Sequence, residues 1–414
     1  MRKVLYTIML IVPMAVAAQN LTLDECVEKA YANYPAIKQY RLIEQTRDYN
    51  LSNAAKGWLP QIGLSAGAYA FTNIIDGDMQ DKMGVDMENY LLNAAVSINQ
   101  SIYDGGQTAA TRRITRAQAE VERHQLDVTM YDIDERVQQI FFGILFLDEQ
   151  IKQNLLLQDD LAISYKSVES MLSGGVANQS DLDAVKVEQI KALQQEEALR
   201  SSRKAYLRML GVLIGEQLSE GISLIKPDNR QTIFAGEALG RPEISFFTAQ
   251  ENLVDEQRKQ LNTRLRPTLS AFAMGIAHSN VTDLMNNNVL MGGLSLNWNF
   301  GALYTRKNDI RKLETKRLAI DSDRETFLFN TKLENENSNG VIETLKAQIE
   351  QDDEIVSLRE SIRSKSEHKV EAGTESVNEM LRDINAVNSA RQQKALHEIQ
   401  LIKEQYNLKH IIGL

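Results

Sequence analysis

Twice in this sequence a short alternating stretch halts at glycine and gives way to a very long run without proline. The first stretch is "VSINQSIYDGG", Val96–Gly106, in which Val96, Ile98 and Ile102 stand among Ser97, Asn99 and Gln100. From Gln107 to Met171 there is then no proline and a single glycine, Gly143. The second stretch ends in "WNFGALY", and from Ala302 to Glu371 the only breaker is Gly340. At ~1.5 Å per residue each run reaches on the order of 100 Å as one helix. A half-polar strand that feeds directly into a helix of that length leaves few folds open.

The rest of the chain is arranged around these runs as a duplication. Pro35 and Pro60 lie 25 residues apart, and so do Pro242 and Pro267. Each pair brackets a polar, helix-prone stretch that opens at proline, which suits a first helical turn. Beyond Pro60, Ile62, Leu64, Ala66, Ala68 and Ala70 alternate with Gly63, Ser65, Gly67 and Tyr69. Beyond Pro267, "TLSAFAMGIAH" alternates less cleanly. Polar loops follow at 76–88 and 281–288, and a second strand then returns. Leu92, Ala94, Val96 and Ile98 are set against Asn93, Ser97 and Asn99. In the second copy Leu290, Leu294, Leu296, Trp298 and Phe300 are set against Ser295, Asn297 and Asn299. Period-2 alternation over roughly ten residues is what a membrane β-barrel strand with a wet interior requires. Strands are expected at about 61–75, 89–103, 268–280 and 289–300.

The first long run keeps a seven-residue repeat. Leu126, Met130, Ile133, Val137, Ile140, Ile144, Leu147 and Ile151 advance by alternate steps of four and three, and the register continues through Leu161, Tyr165, Val168 and Leu172. Such a repeat puts one apolar seam against neighbouring helices. The second run is looser. Each run ends at a glycine turn, "SGGVANQSDL" or "EAGTESVNEML". There Gly175 or Gly373 can supply the left-handed residue that lets the chain reverse. Helices without Gly or Pro then return at 178–210 and 376–412. Each half reads helix, strand, strand, long helix, turn, returning helix. The first repeat covers residues 19–211, a glycine-bearing connector 212–240, and the second repeat 241–414.

Arg2 and Lys3 precede an apolar run from Val4 to Ala18 that ends in small residues, so residues 1–18 read as a secretory signal peptide. No later segment reaches 18 uninterrupted apolar residues; the densest, "IFFGILFL", has eight. The mature chain can therefore enter a membrane only as strands. The formal charge of −10, or −12 without Arg2 and Lys3, argues against a nucleic-acid partner. Cys26 is the lone cysteine, which excludes a disulfide framework within the chain and any thiolate cluster. His124, His278, His368, His397 and His410 are scattered, and Asp159–Asp160 and Asp352–Asp353 are expected on solvated helix faces rather than in metal sites. "SGGVANQSD" lacks the Gly-Lys-Ser/Thr ending of a phosphate loop. No Ser/His/Asp, Cys/His or paired-carboxylate spacing marks an active site, so neither catalysis nor a cofactor is expected. Trp58 and Trp298 flank strand ends, as an interfacial aromatic belt or ordinary packing would have them.

Four strands cannot close a transmembrane barrel, which needs at least about eight, so other copies must complete it. Helices of ~100 Å outreach a hydrocarbon core of ~30 Å and must project beyond it. The chain resembles the TolC family of bacterial outer-membrane efflux and secretion channels. The resemblance rests on "LTLDECVEKAYANYP" near the mature start, "SIYDGGQ" at the strand–helix junction, the duplicated halves and the glycine turns. It covers nearly everything after residue 18. It implies a mainly α fold with a membrane β-barrel part: a homotrimer sharing a twelve-stranded barrel, four strands per copy, in outer-membrane lipid. The helices would form a long periplasmic α-barrel, with the connector in its equatorial region.

The same resemblance implies partners and site residues. The two turns are Ser173, Gly174, Gly175 and Val176, and Ala372, Gly373 and Thr374. They fall where the family meets a periplasmic adaptor (membrane fusion) protein of an inner-membrane pump, of RND or ABC type. Just inside that tip the family's channel narrows at acidic side chains on the last helix. Aligned on Gly373, Glu379 takes one such place, and Arg382 and Glu375 are the other constriction candidates. The family's closed state also uses a tyrosine and an arginine near this turn; the matching positions here are Val370 and Glu375. The expected function is a passive exit duct for drugs, metals or other toxic compounds. The alternatives are the duct of a type I protein secretion system and a periplasmic coiled-coil scaffold without a pore.

Overall fold

The structure is a computed structural model and describes residues 20–70, 90–227, 240–278 and 288–413. The expected signal peptide, the loop 76–88, most of the loop 281–288 and the middle of the connector lie outside these residues. The first repeat opens with β1 (Asn20–Leu21), α1 (Leu23–Asn33) and α2 (Ile37–Lys56). It continues through β2 (Gln61–Ala70), β3 (Tyr90–Tyr103), α3 (Gln107–Ser173) and the returning α4 (Gln179–Ile214). The connector carries a two-residue strand, β4 (Ser223–Leu224). The second repeat follows the same order with α5 (Pro242–Leu261), β5 (Thr268–His278), β6 (Asn288–Asn297), α6 (Ala302–Glu371) and α7 (Val377–Ile412). The unbroken runs are single helices of 67 and 70 residues.

By contacts the chain divides into two units that cut across the repeats. One lies within Met1–Ile37, Asp127–Pro242 and Phe327–Leu414, the other within Lys38–Leu126 and Glu243–Thr326. The second unit holds a single antiparallel sheet of strand order β2-β3-β5-β6. β2 pairs with β3 from Gln61↔Asn99 to Ala70↔Tyr90, and β5 with β6 from Thr268↔Asn297 to Ala277↔Asn288. β3 and β5 join the two repeats, from Asn93↔His278 to Ser101↔Ser270, with Ile102 bulged where the register shifts. The last strand was expected to run to residue 300 but ends at Asn297. Beyond it the Trp298 indole N–H donates to the Leu265 carbonyl at 3.0 Å and the ring leans on Phe300, 4.8 Å between centroids. The next residue on β5's side is Pro267, which has no N–H to carry the ladder past Asn297.

In the first unit the heptad seam of α3 is buried: Met130, Ile133, Val137 and Ile144 are each at most 2% exposed. Phe141 and Phe142 extend it. Gly143 has a reason to stand inside this helix, since a Cβ there would run into the Tyr206 ring of α4. The connector is tied down by Arg203 of α4, which pairs with Asp148 and donates to the carbonyls of Glu220 and Ile222. β4 lies parallel to β1, Asn20↔Ser223 and Leu21↔Leu224. Asn33 at the end of α1 donates to the Val212 and Leu213 carbonyls at 3.1 and 3.0 Å, satisfying the open end of α4.

Candidate functional site

The pairing register sorts the sheet's side chains onto two faces. Ile62, Leu64, Ala66 and Ala68 of β2 share a face with Leu92, Ala94, Val96 and Ile98 of β3. Across β5 and β6 that face continues through Ala271, Ala273, Gly275 and Ala277 to Leu290, Gly292, Leu294 and Leu296. None of these carries a polar side chain, and Leu64, Leu290 and Leu294 are 81%, 86% and 70% exposed. An uncovered apolar face of that extent suits hydrocarbon, not water. The opposite face carries Ser65, Asn93, Ser97, Asn99, Ser270 and Ser295 among its residues. Among the described residues β2 and β6 have one sheet neighbour each, so both outer edges keep unpaired backbone groups that call for a further strand.

The second strand of each repeat, β3 or β6, passes into its long helix through the same device. Asp104 accepts from the Gly106 amide at 2.8 Å and from the Thr108 amide at 2.7 Å, capping the first turn of α3. Burial pushes this carboxyl up, but the hydrogen bonds from Thr108 and Gly106 outweigh it and leave it below the usual carboxylate range. Gly105 and Gly106 have φ of 68° and 87°, which is why glycine stands at both. At the second junction the Asn299 side chain accepts from the Gly301 amide at 2.8 Å. Asn-x-Gly therefore stands in for Asp-x-Gly, a signal the sequence contained and that a search for Asp-Gly-Gly passes over.

The two turns are built alike. After α3, Val176 N donates to Met171 O at 2.9 Å and Gly175 N to Leu172 O at 3.1 Å, with Gly175 at φ 76°. After α6, Thr374 N donates to Lys369 O at 2.9 Å and Gly373 N to Val370 O at 2.9 Å, with Gly373 at φ 71°. Both are Schellman ends, in which a left-handed residue lets the last carbonyls be satisfied. Three residues after each glycine comes an N-cap, Asn178 or Ser376, locked in a reciprocal box with Asp181 or Glu379. The turns lie against each other, for a Cβ on Gly373 would stand 3.7 Å from Val176 Cγ1. Beneath them Leu161, Val168, Leu182, Val185, Val370, Val377 and Ile384 make one buried cluster shared by α3, α4, α6 and α7.

The constriction candidates sit on this tip. The Glu379 carboxylate accepts from the Ser376 amide at 3.2 Å and the Ser376 hydroxyl at 3.1 Å, and these bonds hold its pKa below the usual range. Glu375 accepts from the buried Ser366 hydroxyl at 3.1 Å and pairs with Lys369 at 3.4 Å. Arg382 is exposed one turn further along α7. Ser173 and Thr374 hydroxyls donate to the carbonyls of Glu169 and Lys369, and Gly174 and Ala372 are exposed backbone of the turns. Val370, at the place of the family's tyrosine, is 3% exposed and belongs to the apolar cluster.

Two acidic pairs expected on solvated faces are not wholly there. Asp160 receives Arg363 at 2.6 Å, and Arg363 also holds Glu367 at 2.8 Å. Asp352 is 6% exposed, with its Oδ2 2.6 Å from His397 Nδ1. Their sequence neighbours stay at the surface: Asp159 is exposed, and Asp353 pairs with Lys394 at 2.5 Å. The correction has a simple cause, since a partner from another helix decides whether a helical carboxylate can be buried. Among the described residues, no three His, Cys, Asp or Glu side chains are grouped to hold a metal, and no helix is long and apolar enough to cross a membrane.

Comparison with known proteins agrees with this architecture. The family model described as outer membrane efflux protein matches residues 26–216. Outer membrane efflux protein BepC of Brucella suis biovar 1 (strain 1330) is 25% identical over 212 residues, 50% of this chain. The match spans 44% of that relative's own length, somewhat less than half. The solved structure of CusC has a TM-score of 0.72 at 12% identity, with 94% of this chain and 92% of that one covered. That of the outer membrane protein VceC from Vibrio cholerae has a TM-score of 0.68 at 12% identity, covering 94% and 96%. At these identities the likeness is one of fold, and it takes in both repeats.

Proposed function

We propose that this chain, whose residues 26–216 match the outer membrane efflux protein model and whose fold is that of the TolC-like channels, is the outer-membrane duct of a tripartite efflux system. The observation that carries the reading is the sheet: one face is apolar between Gln100 and Asn288 at its margins, and both edges are open. β3 and β6 pass through turns of three and four residues into helices of 67 and 70 residues. Three copies, each adding four strands, remove the open edges and put the apolar faces toward lipid. The helices extend into the periplasm, where Ser173, Gly174, Gly175 and Val176 with Ala372, Gly373 and Thr374 meet an adaptor protein. An inner-membrane pump supplies the energy; the duct performs no reaction and passes small molecules.

Glu379, with Arg382 and Glu375, lines the narrow end of this duct. Glu379 also closes a capping box, so removing its side chain tests two roles at once. Gln at 379 keeps an acceptor for the Ser376 amide and removes only the charge. Glu379→Gln is expected to lower cation preference in planar bilayers without loss of the trimer. If Glu379→Gln conducts like the unaltered chain and only Glu379→Ala differs, the residue is a helix cap and no part of the constriction. The duct itself is tested by the mass of the detergent-extracted full chain alongside its conductance. A trimeric mass with discrete low conductance is expected; a monomer that conducts nothing would leave a helical scaffold.

A further inference from the structure

The face of the sheet that turns away from lipid is not uniform. On β2 and β3 it presents Ser65, Asn93, Ser97 and Asn99. On β5 and β6 it presents a continuous apolar track. Met274 lies directly across from Met291, Ile276 from Val289, and Phe272 from Gly293. The Phe272 ring covers Gly293, 3.4 Å from where a Cβ would stand, so the glycine leaves no gap in the track. Met291 and Val289 are 42% and 38% exposed, and Phe272, Met274 and Ile276 are half-buried. Same-face residues step by roughly 6.6 Å, so the track runs about 13 Å along the strands and two strands across. No formal charge falls on it, and its cross-strand neighbours on β3 are the neutral Asn99, Ser97 and Ala95, the first two of them hydrogen-bonding.

We propose that Phe272, Met274, Ile276, Val289 and Met291 form a transit site on the inner barrel wall for the apolar body of exported molecules. The cargo is then an amphipathic organic compound. The inference rests on the duct reading, which puts this face toward the lumen. A hydrated metal ion gains nothing from such a surface, because hard cations need oxygen ligands. The two methionine sulfurs alone could attract a soft metal. The aromatic and aliphatic side chains that prolong the track on both sides of them are of use only to a larger apolar group. The flanking Asn and Ser offer hydrogen bonds to a polar end without fixing a charge, which permits release as well as entry.

The test compares two organic cations of equal charge on the full-length trimer in planar bilayers: tetraphenylphosphonium, with an apolar body, and tetramethylammonium, without one. Tetraphenylphosphonium is expected to give the longer current blocks. Met274→Ser combined with Ile276→Ser and Met291→Ser is expected to shorten those blocks about tenfold, the effect of losing a modest apolar contact. Potassium conductance should remain unchanged. Should the triple variant not assemble, Met291→Ser alone, at the most exposed position, is expected to shorten them about twofold. Met274→Leu with Met291→Leu keeps the apolar surface but removes both sulfurs. Blocks retained in that variant support the track, whereas blocks lost there would assign the site to a soft metal. Equal block times for the two cations, or no change in the serine variants, would overturn the proposal. A chain that assembles as a trimer but conducts nothing would remove the duct itself, and the track with it.

Discussion

The two long helices hold matching places in the two repeats and bury different mixtures of residue. The seam of α3 is mostly apolar, with Met130, Ile133, Val137, Phe141, Ile144, Leu161 and Val168 at most 2% exposed, and of the helix's 17 buried residues only Gln138, Asn154 and Ser164 are polar. Of the eight buried residues of α6, four are polar: Thr331, Ser338, Asp352 and Ser366. Ser338 donates to Glu404 at 2.5 Å, Asp352 meets His397, and Ser366 donates to Glu375. An apolar seam is non-directional and tolerates small shifts between helices. A polar seam is directional, and its contribution depends on every partner staying in place. The first repeat thus supplies a fixed scaffold, and the second a seam that specifies one arrangement at less gain in stability.

The largest effect expected from this contrast lies in the first seam. Leu161→Ala removes a side chain that is 0% exposed within the tip cluster and should cost about 3 kcal/mol, read from denaturant unfolding of the detergent-extracted protein. In the second seam, Asp352→Ala leaves His397 without its partner and should cost about 2 kcal/mol. Replacing Asp352 and His397 together by leucine should restore most of that loss. If the double variant is as unstable as the single one, the polar seam contributes packing rather than a directional polar pair, and the contrast between the helices fails.

The turns sharpen the comparison from the other side, since there the repeats agree. Asn178→Ala and Ser376→Ala should each cost about 1 kcal/mol, because the two capping boxes have the same geometry. Costs that differ severalfold would mean that one turn is held by contacts beyond its cap.

The smallest effect concerns Asp134, a partly buried carboxyl beside the first seam. Burial first, and then the nearby Asp24 carboxylate, push Asp134 up to about 6. A folded pKa above the unfolded value of about 3.9 means that folding favours the protonated form. Its contribution is therefore fully present below about pH 4 and lost as pH rises through about 6. Asp134→Asn should stabilise the fold on the order of 1 kcal/mol at pH 8, a figure reduced for partial exposure, and leave it unchanged at pH 4. Unfolding midpoints at the two pH values check the sign.

What could be read from the sequence was local. The seam of α3 shows as an uninterrupted heptad, the turns as glycines after breaker-free runs, and the sheet as period-2 alternation between Pro60 and Asp104. Even features passed over had local marks: Ser376-x-x-Glu379 is a capping-box pattern, and Asn299-x-Gly301 a junction like Asp104-x-Gly106. The two-residue β4 had none, because two residues are too few to alternate.

The sequence by itself therefore determined the duplicated order of strand pair, long helix, turn and returning helix, and the apolar character of one strand face. Periodicity, breakers and caps act over one to three turns and leave their record in neighbouring residues. Only the tertiary structure decided that β3 pairs with β5 across the repeats, and that Asp160 meets Arg363 and Asp352 meets His397. It alone placed Phe272, Met274, Ile276, Val289 and Met291 on one surface. Each of these depends on the register or approach of an element distant in the chain, and a carboxylate or a methionine carries no mark of which partner will arrive.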